Sequence, residues 1–361
     1  MELLRCKLEL SRGGQSTSLG MEGLRGIAVL LVFCVHFFSQ ALPYISQSWH
    51  YDVSLWMKEL GNMGVDLFFI LSGYLIYGSL ISKSKTNFIS YMRRRIRRIY
   101  PVFFIVLLIY ISISLLVPEQ SKLPESGVLL YILKNILLLP GVFDVKPMVT
   151  VSWSLSYEMF YYLLIPLVIG VLNLRRWTAV IRLCFWLFIF ICGLILFYIY
   201  PGPNRLLVFI GGIWLFEINK MKVLSITFAQ GVFCGVLAAA LYVPVLSIGI
   251  GGLAQVILLS VLLPFLCMSV FGYNAGVNSF WSFTPLRWLG NMSYSYYLIH
   301  GLVLNVCFLI YGKLGFPLLS SGVWLLMALM LFVTLTASFA LFVIVEKPLS
   351  LDKNSVYNKR E

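Results

Sequence analysis

Apolar runs of about twenty residues recur from one end of the chain to the other, and each is long enough to carry a helix across a bilayer. Among 361 residues, 60% are hydrophobic and only 11% are charged. In lipid the backbone must satisfy its own hydrogen bonds, which leaves an all-α, polytopic transmembrane protein as the fold class. The runs predict about ten helices, near 22–42, 61–82, 99–117, 151–172, 178–200, 204–219, 224–244, 248–272, 290–312 and 322–345. A further apolar piece, 127–143, is broken by Lys134 and ends in Pro-Gly, and reads as interfacial. The first run is longer than a leader's hydrophobic region and lacks an A-x-A site, so a retained helix is expected. The expected organisation is one integral-membrane domain over 1–361. It comprises a cytoplasmic segment 1–21, a transmembrane region 22–345 and a cytoplasmic tail 346–361.

Charge sets the expected orientation, because basic residues collect in cytoplasmic segments. With both termini cytoplasmic, only Lys58, Lys122, Lys134, Lys146, Arg205 and Lys313 of the 27 basic residues fall outside. Counting 127–143 as a span would invert every later loop and shrink that bias. The net charge of +13 thus reflects topology and contact with anionic membrane lipids, and nucleic acid is not an expected partner. Seven cysteines, odd in number and without C-x-x-C spacing, read as small core hydrophobes. With three histidines and no ligand cluster, no metal site is expected.

Ionisable residues inside spans are costly and mark functional sites. Arg25 and His36, eleven residues apart on the first run, share a helix face and are separated by roughly 16 Å along the axis. Arg25 falls at the cytoplasmic end and His36 in the outer half. Counting inward from the outer surface puts Asp66, on the second run, and Glu158, on the fourth, at the level of His36. One histidine with two carboxylates makes an acid/base site. Bland roles stand beside this one: Asp66 as an N-cap or a partner of Lys58, Glu158 in an interhelical hydrogen bond, His36 as a packing residue. His50 reads as a solvated loop residue. On the inner side, "YMRRRIRRIYP" presents five arginines between 93 and 98, which suit either anionic headgroups or a polyphosphate. Arg94 and Arg98, one turn apart, face the same way. On the ninth run Ser293, Tyr297 and His300 form a stripe at i, i+4 and i+7, which lines either a tunnel or an interhelical ladder.

Six motifs in order carry a family resemblance. They are "GLRGIAVLLVFCVHF", "GVDLFFILSGYLI", "RRRIRRIYP", "SWSLSYEMFYY", "LGNMSYSYYLIH" and "VEKP". Together they make nearly the whole chain similar to membrane-bound acyltransferase family 3, which O-acylates sugars of surface glycans and some antibiotics. The resemblance implies a catalytic R-x10-H pair at Arg25 and His36, an R-x3-R element at Arg94 and Arg98, and an S-x-x-x-E element at Ser154 and Glu158. It also implies acetyl-CoA or another acyl-CoA as co-substrate, with no tightly bound cofactor. Larger members carry an SGNH hydrolase-like domain, which is not expected here.

The expected mechanism follows from that resemblance. Arg94, Arg95 and Arg98 hold the phosphates of a cytoplasmic acyl-CoA, and the pantetheine arm threads past Ser293, Tyr297 and His300. His36 is the general base on an acceptor hydroxyl, with Glu158 or Asp66 fixing its tautomer, and Arg25 anchors the donor; an acyl-histidine intermediate is an open alternative. The expected acceptor is a cell-surface or lipid-linked glycan, on whose rings Trp49, Tyr51, Trp56 and Trp153 would stack, and the expected location is a bacterial inner membrane. Two other classes compete: a proton-coupled transporter of a glycan or lipid-linked sugar, using the same residues as a relay, and a non-catalytic sensor.

Overall fold

The computed structural model describes residues 7–10, 16–246, 251–271, 278–315 and 320–351. Its helices are α1 (Ser16–Ala41), α2 (Trp49–Gly61), α3 (Met63–Ile81), α4 (Phe88–Leu116), α5 (Val128–Ile136), α6 (Ser152–Val171), α7 (Ala179–Ile199), α8 (Val208–Met221), α9 (Phe228–Leu246), α10 (Gly251–Phe271), α11 (Asn278–Trp281), α12 (Thr284–Asn291), α13 (Ser293–Leu314) and α14 (Val323–Leu341), closed by a π-helix over Phe342–Leu351. No strand occurs among the described residues.

Nine helical stretches among the described residues are long and apolar enough to cross a membrane. The run expected as a tenth, 204–219, forms α8, which has 14 residues and covers about 21 Å. Its approach is broken by Pro201 and Pro203 and wound as a 3-10 turn over Asn204–Leu207. Its end is set by Lys222 in the left-handed region at φ 54°. Within the apolar piece at 127–143 the helix covers only the nine residues of α5, about 13 Å, too short to span. Two boundaries also move. α4 begins at Phe88, capped by Asn87 Oδ1 accepting from Ser90 N–H at 3.0 Å, so the arginine run lies on the helix itself. The polar stretch before the second span is helical as well, and α2 with α3 makes a 33-residue stretch, Trp49–Ile81.

The chain forms two compact units from interleaved segments: residues 1–39, 51–86 and 163–293 in the first, and 40–50, 87–162 and 294–361 in the second. In the first, small residues let helices touch backbone to backbone, the packing mode that substitutes for the hydrophobic effect between helices in lipid. A Cβ on Gly212 of α8 would stand 2.7 Å from Tyr74 N and 3.0 Å from Gly73 Cα of α3. Charged groups close the same seam. Arg182 of α7 grips Glu217 of α8 through Nε and Nη2 at 2.5 and 2.7 Å, and the Tyr77 hydroxyl of α3 donates to the same carboxylate. Arg175 closes the carboxyl end of α3, donating to Leu80 O, Lys83 O and Thr86 Oγ1.

In the second unit, α4 packs against the π-helical segment. The loops beside α5 are tied down by two polar side chains. Asn135 accepts from Met148 N–H at 2.8 Å and donates to Lys146 O. Lys122 Nζ donates to Thr150 Oγ1 at 2.9 Å and to Met148 O at 3.2 Å, and lies 4.7 Å from the Tyr110 ring centroid.

Candidate functional site

In the first unit α1 is unbroken from Ser16 to Ala41, so Arg25 and His36 lie on one helix with the eleven-residue spacing intact. Both side chains are half-buried. Close to Arg25, Glu22 is buried and accepts from Arg287 Nε at 3.2 Å, while Arg287 Nη2 reaches Glu9 at 2.8 Å. Asn291 Nδ2 donates to Glu22 at 3.4 Å and to Leu8 O at 3.1 Å. The amino-terminal end of α1 is thereby keyed to α12.

Asp66 departs from its expected place. A Cβ on Gly61 would stand 2.6 Å from Leu31 O and Val35 N, and one on Gly64 would stand 2.5 Å from Ala28 O. That antiparallel register puts Asp66 opposite about Ala28, eight residues and roughly 12 Å from His36 toward the amino-terminal end of α1. Counting from the start of the apolar run misses this offset, because α2 and α3 continue one another past the run's polar edge. The carboxylate meets Arg205 instead, with Nε to Oδ1 at 3.0 Å and Nη2 to Oδ2 at 2.6 Å. Arg205 also donates to Asn62 O at 2.9 Å, and Lys58, the partner considered for Asp66, pairs with Glu59 at 3.3 Å. Asp66 is therefore an anchor for Arg205, and its assignment as the group that orients His36 is withdrawn.

The second unit holds the arginine run, the S-x-x-x-E element and the Tyr297 and His300 part of the α13 stripe, in three sets of contacts. Arg95 lies between two tyrosine faces, 5.3 Å from the Tyr91 centroid and 4.9 Å from that of Tyr162. The Tyr162 hydroxyl donates to Glu158 Oε1 at 2.5 Å. Arg98 Nη1 donates to Glu346 Oε1 at 2.6 Å and its guanidinium lies 5.5 Å from the Tyr294 centroid. Glu346 is fully buried in the π-helix and accepts on Oε2 from both the backbone N–H of Ser295, at 3.0 Å, and its hydroxyl, at 2.5 Å. A π-helical turn is rare and concentrates at functional positions. Arg94, expected beside Arg98, is exposed.

Ser154 and Tyr297 share a 2.6 Å hydrogen bond, which joins α6 to the α13 stripe. His300 is fully buried, stacked on Tyr296 at 5.2 Å, and its Nδ1–H donates to Tyr296 O at 2.9 Å. In the neutral ring this leaves the lone pair on Nε2. Ser293 is buried at the first turn of α13. His50, expected to be solvated, instead accepts on Nδ1 from Trp324 Nε1–H at 3.1 Å.

Sequence reasoning passed over Arg182, Glu217, Arg205, Glu22, Arg287 and Ser295. A signal existed for Glu217 and Arg182, since each is a charge inside a predicted span and so requires an opposite charge on a neighbour. For Ser295 and Arg205 there was none, because their partners lie 51 and 139 residues away.

A family model described as an acyltransferase domain matches residues 18–343. The O-acetyltransferase OatA of Staphylococcus aureus (strain NCTC 8325 / PS 47) is 29% identical over 163 residues, 42% of this chain and 24% of that protein. The acyltransferase MdmB of Streptomyces mycarofaciens is 32% identical over 151 residues, 41% of this chain and 38% of that protein. The peptidoglycan O-acetyltransferase OatA of Listeria monocytogenes is 26% identical over 326 residues, 78% of this chain and 48% of that protein. The chain thus spans less than half the length of these relatives. No solved structure gives a significant match.

Proposed function

The chain belongs to the acyltransferase family whose model spans residues 18–343, and from that premise we propose that it is a multi-pass O-acyltransferase moving an acyl group, most simply acetyl, from acyl-CoA to a hydroxyl of a surface glycan. The curated relatives support the acetyl group and the glycan: two are O-acetyltransferases, one of them of peptidoglycan. The proposed location is a bacterial inner membrane with both termini cytoplasmic, resting on the distribution of basic residues.

The observation that carries the reading is the R-x10-H pair on the uninterrupted α1. His36 removes the proton of the acceptor hydroxyl, the oxygen attacks the thioester carbonyl, the C–S bond breaks and the thiolate of CoA leaves with the proton returned from the imidazolium. Arg25 anchors the donor. The donor's phosphates fall to Arg94, Arg95 and Arg98, because guanidinium groups bind phosphate oxygens in bidentate fashion. Glu346 holds Arg98 in place for that contact, and Tyr162 and Tyr91 hold Arg95. The Ser293, Tyr297 and His300 stripe receives the pantetheine arm, and Glu158, which accepts from the Tyr162 hydroxyl, is the carboxylate of the acid/base set.

The test is a His36→Ala variant assayed for release of free CoA and for acylated glycan. Both are expected to vanish while the protein still inserts and folds. Acylation at the wild-type rate would overturn the reading. Glycan moved across the membrane without release of CoA would replace it with a carrier.

A further inference from the structure

A cleft of about 770 Å³ opens in the second unit beside α5, and its wall carries Lys122, Lys134, Lys146, Tyr131, Leu130 and Asp144. Three features of it call for an explanation.

The first is the number of cations. Translocated segments of a membrane protein are poor in lysine and arginine, and only six basic residues of this chain are expected there. Two of the six are neutralised where they stand, Lys58 by Glu59 and Arg205 by Asp66. A third, Lys313, ends the last turn of α13, where a cation meets the negative end of the helix dipole. The remaining three all converge on this one cleft.

The second is the lack of compensation. Neither Lys134 nor Lys146 has a carboxylate partner among the described residues, and Asp144 is the single acid on the wall, which leaves two positive charges uncompensated. Lys122 is held in a fixed pose on Thr150, Met148 O and the Tyr110 face. Its burial lowers its pKa, an unfavourable effect that a neighbouring anion would offset. The third feature is the setting. Leu129 and Leu133 of α5 are 82% and 48% exposed, an apolar face of the kind that suits a lipid surface, whereas Leu130 and Tyr131 line the cleft with apolar surface. Asn135 locks the frame, so the cleft is built in advance of any ligand.

We propose that this cleft is an acceptor-docking site that binds the acidic groups, carboxylate or phosphate, of a sugar chain at the outer membrane surface. Lysine suits that task, because an ammonium is a point charge that accepts anions from many directions, as a flexible polymer demands. Tyr131 and Leu130 supply the apolar surface on which a pyranose face rests. The inference rests on the glycan-acceptor reading above and narrows it to acidic glycans.

The test measures binding without donor, so that it is independent of catalysis. The full-length protein in zwitterionic nanodiscs is titrated with a carboxylate-bearing oligogalacturonate and with a neutral maltooligosaccharide. The double variant K134E/K146E is expected to weaken the acidic ligand by about tenfold or more and leave the neutral one unchanged, whereas K134R/K146R retains wild-type affinity. Unchanged affinity of the charge-reversed protein for the acidic ligand, or equal loss for both ligands, overturns the proposal. So does loss of oligogalacturonate binding when the wild type is titrated in parallel in discs containing anionic phospholipid, which would make the cleft a headgroup site. Absence of any glycan acylation by the wild type would instead refute the acyltransferase reading and leave the binding result standing.

Discussion

The two units handle charge differently. In the first, each buried carboxylate has its own arginine: Asp66 with Arg205, Glu217 with Arg182, Glu22 with Arg287. Two of these are closed, doubly hydrogen-bonded pairs and the third is a triad in which Arg287 also holds Glu9; all fasten segments to one another. In the second, Arg95 is clad in tyrosine rings and three lysines face a cleft whose single acid is Asp144, while Arg98 shares Glu346 with Ser295. Balanced charge holds structure, and the excess cationic charge of the lysine cleft is available to an anionic ligand. The lesson is that a count of ionisable residues inside spans says little until their partners are known.

The comparison breaks most sharply at Glu217. Replacing it with alanine strands Arg182 in the seam among α3, α7 and α8, and leaving one member of a buried pair uncompensated costs about 3–5 kcal/mol. A large drop in the thermal midpoint of the detergent-purified protein is expected, with recovery in the double variant Arg182→Met/Glu217→Leu. A smaller effect of a different kind is expected at Glu346. Glu346→Gln keeps the shape and frees Arg98 from its carboxylate, so KM for acyl-CoA should rise by about tenfold with little change in the thermal midpoint. A matched fall in stability would instead make Arg98 a structural arginine like those of the first unit. The smallest effect belongs to Tyr162→Phe. The ring remains over Arg95 while the hydrogen bond to Glu158 is lost, worth about 0.5–1.5 kcal/mol, and a several-fold decrease in turnover at unchanged KM for the donor is expected from steady-state kinetics.

Much of the candidate site could be proposed from the chain alone. The pair on α1 needed only helical periodicity, and the arginine run, the S-x-x-x-E element and the α13 stripe were visible as polar residues within apolar runs. Asp66 shows where that reasoning stops. Its depth was inferred by counting from the edge of an apolar run, yet the register between α1 and α3 is decided by Gly61 and Gly64 pressing against α1. Arg98 shows the same limit from the other side: its residue type points to phosphate, but the carboxylate that aims it is Glu346, 248 residues later.

Local interactions determined the rest of what could be read directly. Apolar run length and the need to satisfy backbone hydrogen bonds in lipid dictate an all-helical membrane protein, and helical periodicity sets which polar residues share a face. Only the tertiary structure decided that α8 is short, that Asp66 belongs to Arg205, that Glu346 clamps Arg98, and that three lysines spaced twelve residues apart meet in one cleft. The physical reason is range. A helix is written in contacts three and four residues apart, whereas the pairing of charges depends on which helices touch, and that is settled by glycines, prolines and packing between segments far apart in the chain.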